Sequence, residues 1–187
     1  FDRIDLTTGF SIQTGAIAFH TTAYDTHNEF FQELEKGLGI VHDVVDINAS
    51  ERLGLRYVDV FQADGDHVLE DYLKEGLRGV SLDGIGARRQ RSFSNLVMDT
   101  DVDGHLVVRI ALDPDGALPP NLLPTDLKPT RSPEANKPVG VLDYDHFIEK
   151  TEAFTVDHVM GRFMALHGIV KSAFLETVSE FALEDWK

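Results

Sequence analysis

Alternating apolar and polar positions predict antiparallel strands along this chain. In the clearest case, apolar residues recur at every second position on both sides of the turn signal Asp103-Gly104, namely Leu96, Met98, Leu106, Val108, Ile110 and Leu112. A period of two places them on one face of a hairpin spanning residues 93–112, and that face is expected to be core. Short strands around Thr14-Gly15 predict an earlier hairpin, and the stretches 52–61 and 139–146 predict two further strands.

Apolar residues at three- and four-residue spacing predict helices elsewhere. Thr26 stands three residues before Glu29, the pattern of a capping box, and a helix is expected to follow. A longer helix is expected from Thr155, because one unbroken apolar stripe runs through Val156, Val159, Phe163, Leu166, Val170, Phe174, Val178 and Phe181. Residues 68–77 predict a short helix between the strands.

These elements predict an α+β fold in which one antiparallel sheet carries a long C-terminal helix and a shorter helix on one face. The nearest arrangements are ferredoxin-like or TATA-binding-protein-like. Residues 1–187 are expected to form a single domain, and the stretch 113–140, which holds all seven prolines, is expected to be a surface loop. Because the chain opens at Phe1 without a methionine, we expect a missing N-terminal section.

The composition and net charge of the chain exclude or disfavour several classes of partner. The 42% of hydrophobic residues is enough for folding by core burial, while a net charge of −15 disfavours nucleic acid. No apolar run approaches the ~20 residues of a membrane helix, so no membrane association is expected. The absence of cysteine excludes disulfides, thiolate metal sites and a cysteine nucleophile, and indicates a reducing cytoplasm.

One cluster of positive charge stands out. Arg88, Arg89 and Arg91 follow the glycines of Gly84-Ile85-Gly86, which suggests an anion-binding patch and hence a small-ligand or nucleotide binder. A solvated charged loop explains the same pattern. The glycines continue into arginine, so the dinucleotide-binding fingerprint is not met.

Acidic residues before the predicted turn resemble half of a calcium loop. Asp99, Asp101 and Asp103 alternate and a glycine follows, but Ile110 stands where such a loop needs a bidentate glutamate. An acidic hairpin turn is the better interpretation, and no metal or cofactor is predicted.

A second set of charges lies on two predicted strands. Asp143 and Asp145 share one strand face, as do Arg52 and Arg56, so neighbouring strands would let the arginines pair with the carboxylates. Alternatively, the two aspartates hold Mg²⁺ for phosphoester chemistry. His167 borders the apolar stripe of the last helix and is interpreted as a hydrogen-bonded helix histidine rather than a base.

Three stretches together resemble a sporadically distributed family of uncharacterised prokaryotic proteins. They are Arg52-Leu53-Gly54-Leu55-Arg56-Tyr57-Val58-Asp59, Leu142-Asp143-Tyr144-Asp145-His146-Phe147, and the end of the chain from Leu166-His167 through Phe174 to Trp186. The resemblance implies an accessory role and a longer N-terminus. It carries over no catalytic or binding residue.

No catalytic set follows from these motifs, so we predict a non-catalytic interaction or accessory module of a prokaryotic cytoplasmic protein. Its expected partner is another protein or a second copy of the chain. The alternatives are a metal-dependent phosphoesterase using Asp143 and Asp145, and a binder of small ligands or nucleotides.

Overall fold

The computed structural model describes residues 4–80, 83–85, 91–116 and 127–187, and its architecture is α+β with antiparallel sheets and a long C-terminal helix. The strands are β1 (Thr8–Gln13), β2 (Ala16–Thr21), β3 (Ala49–Phe61), β4 (Ser92–Thr100), β5 (Gly104–Asp113) and β6 (Val139–Ala153). The helices are α1 (His27–Val45), α2 (Val156–Thr177) and α3 (Glu180–Asp185).

The chain divides into two compact units. One consists of Phe1–Ser50, Pro119–Ser132 and Thr151–Gly161. The other consists of Glu51–Leu118, Pro133–Lys150 and Arg162–Lys187.

In the first unit, β1 and β2 form a hairpin that packs on α1. Gln13 pairs with Ala16 across the turn, and the Thr26 hydroxyl accepts a hydrogen bond from the Glu29 backbone nitrogen at the start of α1. The ring of Phe10 occupies the space that a side chain at Gly37 would need. The prediction of a single antiparallel sheet is corrected here, because among the described residues this hairpin forms a sheet of its own. Its aromatic side chains find their apolar partners on α1.

The second unit contains a four-stranded sheet in the order β3-β6-β5-β4. Strands β4, β5 and β6 are antiparallel, with Leu96 opposite Val108 and Leu106 opposite His146. Contacts between β3 and β6 also run in opposite directions: Arg52 meets Glu149, whereas Phe61 lies against Gly140. The chain therefore builds this sheet from antiparallel neighbours with β3 and β4 at its two edges.

The part of α2 that belongs to this unit covers one face of the sheet. The core on that face comprises Leu106, Val108, Ile110, Leu112, Leu142, Tyr144 and Val170, with Phe61, Leu69, Tyr72, Leu73, Val178 and Ala182. Every β5 residue in this core was predicted to be buried from the alternation in the sequence. The face bearing Arg109 and Asp143 is the opposite one, because neighbouring residues on a strand point to opposite sides.

Two helix predictions are corrected. The apolar stripe is interrupted after Thr177, because Ser179 caps α3 by accepting a hydrogen bond from the Ala182 backbone nitrogen. Its hydroxyl donates to the Asp71 carbonyl, and its backbone nitrogen donates to the Tyr72 carbonyl. Residues 68–77 form two short 3₁₀ turns, Leu69–Tyr72 and Glu75–Leu77, because the intervening Leu73 is extended and bridges Val178.

The described parts of the proline-rich stretch, residues 114–116 and 127–138, contain neither helix nor strand. Lys128 fastens the stretch to the first hairpin: its backbone nitrogen donates to the Leu6 carbonyl, and its carbonyl accepts from the Thr22 hydroxyl. The neighbouring strands take residues from both ends of the predicted loop, Asp113 into β5 and Val139 into β6.

Candidate functional site

A cluster of charged side chains lies on the sheet face opposite α2 and centres on Asp143. This carboxylate is buried in the central strand β6 and accepts two hydrogen bonds from Arg56, from Nε to Oδ1 at 2.8 Å and from Nη2 to Oδ2 at 2.9 Å. Arg109 adds a third bond, from Nη1 to Oδ2 at 3.0 Å. The hydrogen bonds from Arg56 to Asp143 also raise the pKa of Arg56.

This geometry makes Asp143 a structural anchor that ties three strands together. Both carboxylate oxygens are engaged by guanidinium groups, and a cation would have to displace them to bind there. Arg56 therefore pairs with Asp143, which was expected if their two strands are neighbours. Arg109 also pairs with Asp143, and the sequence analysis did not single out this residue.

The other residues of the predicted charge set are distributed differently. Arg52 lies 3.6 Å from Glu149, with its guanidinium 4.6 Å from the ring centre of Phe147. Asp145 is half-buried and attracts Arg56 from a longer distance. His167 is on α2, where its Nδ1 lies 3.3 Å from the Tyr57 hydroxyl.

On the α2 side of the sheet, His146 fastens the end of the β4–β5 hairpin. Its ring is fully buried, with Nδ1 3.1 Å from the Leu166 carbonyl and Nε2 2.9 Å from the Thr100 hydroxyl. Burial lowers the pKa of His146, which favours the neutral form of its ring. A side chain at Gly104 would reach to 2.8 Å from Nε2, so the hairpin needs glycine at that position.

Two further polar groups lie on the same side without such partners. The Tyr144 hydroxyl is buried and has no hydrogen-bond partner among the described residues. The nearby Thr177 hydroxyl donates to the Ala173 carbonyl. Burial raises the pKa of Tyr144. Nearby Asp59 reaches solvent, yet the protein packed around its carboxyl raises its pKa to about 6.

The acidic hairpin turn binds its own chain. Asp99 lies 2.8 Å from His105 Nδ1, and Asp103 lies 3.4 Å from Lys150 Nζ. Asp101 is exposed, and Asp103 adopts a left-handed backbone with φ 59°. Across residues 4–80, 83–85, 91–116 and 127–187, no three acidic, histidine or cysteine side chains are grouped so as to hold a metal ion.

The predicted anion patch can be placed only at one of its arginines. Arg91 pairs with Asp113, Nε to Oδ2 at 2.7 Å, one position beyond the last β4–β5 pair, Ser92 with Leu112. Arg88 and Arg89 lie outside the described residues.

The most unusual surface in this unit is β4. Among the strands that the structure describes it is the terminal one of the sheet, and from Ser92 to Met98 it carries no charged residue. Its apolar side chains are exposed on both faces: Phe93 is 66% and Val97 is 65% exposed on one, while Leu96 and Met98 are each 40% exposed on the other. A long apolar edge strand with an unpaired side is a ready template for pairing with another chain.

Comparison with protein-family models, with curated proteins and with solved structures gives no match for this chain. The family resemblance drawn from the sequence therefore stays a prediction. No helix in the described part of the chain is long and apolar enough to span a membrane.

Sequence reasoning found the β4–β5 hairpin but missed its free edge. The alternation of Leu96 and Met98 indicated a core face, whereas the structure leaves both residues substantially exposed. The signal was present in the composition of β4, because edge strands usually carry charges and this one has none between Arg91 and Asp99.

Proposed function

We propose that this chain is a non-catalytic interaction module that binds a protein partner by strand addition to the free edge of β4. The observation that carries the proposal is the combination of a strand edge that no described strand pairs with and exposed apolar side chains on both of its faces. In strand addition, main-chain hydrogen bonds supply affinity and the side chains on either face supply specificity. β4 presents both.

The rest of the unit supports a scaffold role. The charged side chains on the opposite face are used in holding strands together, as Arg56, Arg109 and Asp143 illustrate. His146 and His167 likewise contact groups of their own chain. A sheet held by these contacts would present β4 in a fixed geometry, which lowers the cost of ordering a partner strand.

The proposal includes the arrangement and location expected from the sequence. A helix over one face of an antiparallel sheet supports a ferredoxin-like or TATA-binding-protein-like arrangement, and the lack of cysteine supports a cytoplasmic location. That the cytoplasm is a prokaryotic one is implied by the family resemblance. The accessory role implied by the family resemblance is part of the same proposal.

The two alternative functions receive no such support from the described residues. A phosphoesterase site would require the Asp143 oxygens that now accept hydrogen bonds from Arg56 and Arg109. A nucleotide site at residues 84–91 rests mainly on positions outside the described chain. Both stay predictions from the sequence.

The proposal is tested by quantitative affinity capture with three forms of the chain. The edge variant Phe93→Lys/Val97→Lys places charges on the β4 edge, and the control Ile40→Lys/Val44→Lys places the same charges on two exposed apolar positions of α1. We expect a partner from the host-cell extract to be captured by the wild type and the control but not by the edge variant. A partner that the edge variant captures equally well would contradict binding through β4.

A further inference from the structure

The charges at the two ends of β4 make this strand complementary to its own reverse. Arg91 and Asp99 each lie four residues from Asn95, one on either side. Their side chains stay exposed, Arg91 by 68% and Asp99 by 91%, although Arg91 also contacts Asp113 and Asp99 also contacts His105 of the same chain. Arg91, Phe93, Asn95, Val97 and Asp99 alternate with the core-facing residues and so share the sheet face opposite α2.

We propose that the partner of β4 is β4 of a second copy, paired antiparallel about a two-fold axis through Asn95. This inference rests on the proposed function, because it names the occupant of the same edge. The two four-stranded sheets would become one continuous sheet. A two-fold interface of this kind is self-complementary, so each contact occurs twice.

The register follows from the side chains. With Asn95 opposite Asn95, Phe93 lies opposite Val97 of the other copy, an aromatic and β-branched pair of the kind that stabilises sheets. In the same register Arg91 lies opposite Asp99. A shift by two residues in one direction places Phe93 opposite Asp99, and a shift in the other places it opposite a second Asn95, so neither gives the apolar pair.

Charge complementarity also favours a second copy over an unrelated strand. The chain carries a net charge of −15, which would oppose self-association at most of its surface. β4 is the exception, since its centre is uncharged and its ends have opposite signs. Antiparallel pairing places each Arg91 opposite an Asp99, whereas parallel pairing in register would place Arg91 beside Arg91 and Asp99 beside Asp99.

A charge swap tests this register by analytical ultracentrifugation of the full chain. We expect a wild-type dimer, with Arg91→Glu and Asp99→Arg each raising the dimer Kd by about tenfold, because each creates two like-charge pairs. The double variant should restore the wild-type Kd. The same swap at the exposed pair Lys74 and Glu176, as Lys74→Glu and Glu176→Lys, is the control and should leave the Kd unchanged.

Crosslinking provides a second readout that does not depend on charge. The chain has no cysteine, so Asn95→Cys introduces one thiol per copy. At a two-fold axis two such residues face each other at about 5 Å between Cα atoms, within disulfide reach. Under oxidation Asn95→Cys should give a covalent dimer, as should a mixture of Phe93→Cys and Val97→Cys chains, whereas Val60→Cys on β3 should not.

The outcomes separate this inference from the proposed function. A wild type that stays monomeric at all concentrations, or a dimer that neither the charge swap nor Asn95→Cys affects as stated, overturns the two-fold pairing. In that case capture of a different protein through β4 would still support the proposed function. If capture is also insensitive to the edge variant, both fail.

Discussion

The two edges of the four-stranded sheet differ in how they are protected from pairing. The β3 edge carries charges along its length, namely Glu51, Arg52, Arg56 and Asp59, and two of its arginines form ion pairs with β6. The β4 edge has none from Ser92 to Met98 and exposes Phe93 and Val97. Charged edge strands avoid unwanted pairing, whereas an uncharged apolar edge invites it. The charges of β3 therefore protect that edge of the sheet from pairing with another strand, whereas the β4 edge lacks this protection.

The difference extends to how each edge strand is attached. Arg56 reaches across to a carboxylate buried in β6, so β3 is held by side chains in addition to its backbone. Strand β4 is held by its ladder with β5 and by the contact of Thr100 with His146. The apolar side chains of β4 are exposed in the isolated chain. Their burial against a partner would therefore stabilise a complex and not the isolated fold.

Removing the anchor of β3 should produce the largest change in stability. We expect Asp143→Asn to lower the free energy of unfolding by about 1.5 to 3 kcal/mol, because three charge-assisted hydrogen bonds are lost or weakened. Asp145→Asn is the matched control and should cost less than about 1 kcal/mol, the usual limit for weakly paired surface charges. Urea unfolding measures both. Equal effects of the two substitutions would show that Asp143 is not the anchor.

A smaller change of opposite sign is expected at Tyr144, in the core between the two edges. Its buried hydroxyl has no hydrogen-bond partner in the described chain, so Tyr144→Phe should raise the free energy of unfolding by about 1 kcal/mol. Tyr57→Phe is the control, because its hydroxyl contacts His167 and its loss should not stabilise. A destabilised Tyr144→Phe protein would mean that the hydroxyl is satisfied.

Asp59 makes the charged edge sensitive to pH. Its pKa is raised to about 6 in the folded chain against about 4 when unfolded, so its contribution to stability is complete below pH 4 and is lost as pH rises towards 6. Asp59→Asn should therefore be more stable than wild type at pH 7, with the difference vanishing near pH 4. Melting curves across this range test it. A constant difference would contradict the raised pKa.

The smallest effect on stability is expected where the effect on association is largest. Phe93→Lys/Val97→Lys gives β4 the kind of charge that β3 already has, and each exposed substitution should change the free energy of unfolding by less than about 0.5 kcal/mol. The dimer should nevertheless dissociate. An unfolded or strongly destabilised variant would instead show that these side chains support the isolated fold.

The sequence predicted the parts of this sheet that depend on local periodicity. The β4–β5 hairpin follows from the alternation around Asp103-Gly104, and the buried face of β5 follows with it. Thr26 and Thr155 indicated helix starts because capping is also local: each hydroxyl accepts from the backbone three residues on. The break at Ser179 was missed because the apolar stripe continues through it, whereas the structure shows Ser179 capping α3 and donating to the carbonyls of Asp71 and Tyr72.

The candidate site depends on which strands are neighbours, and the sequence leaves that open. Arg56 and Asp143 could be expected to meet only if β3 and β6 are adjacent, and Arg109 joins them through the β5–β6 register. The openness of β4 likewise follows from its place at the end of the sheet. Periodicity assigns a residue to a face of a strand, but it does not say whether another strand lies alongside.

Amide hydrogen exchange of β4 tests the central claim most directly, because pairing protects backbone N–H groups whatever the side chains do. We predict that amides of β4 exchange more slowly as the protein concentration rises, while those of β3 do not change and the Phe93→Lys/Val97→Lys variant shows no such slowing. Exchange of β4 that is independent of concentration, and identical in the wild type and this variant, would contradict the account.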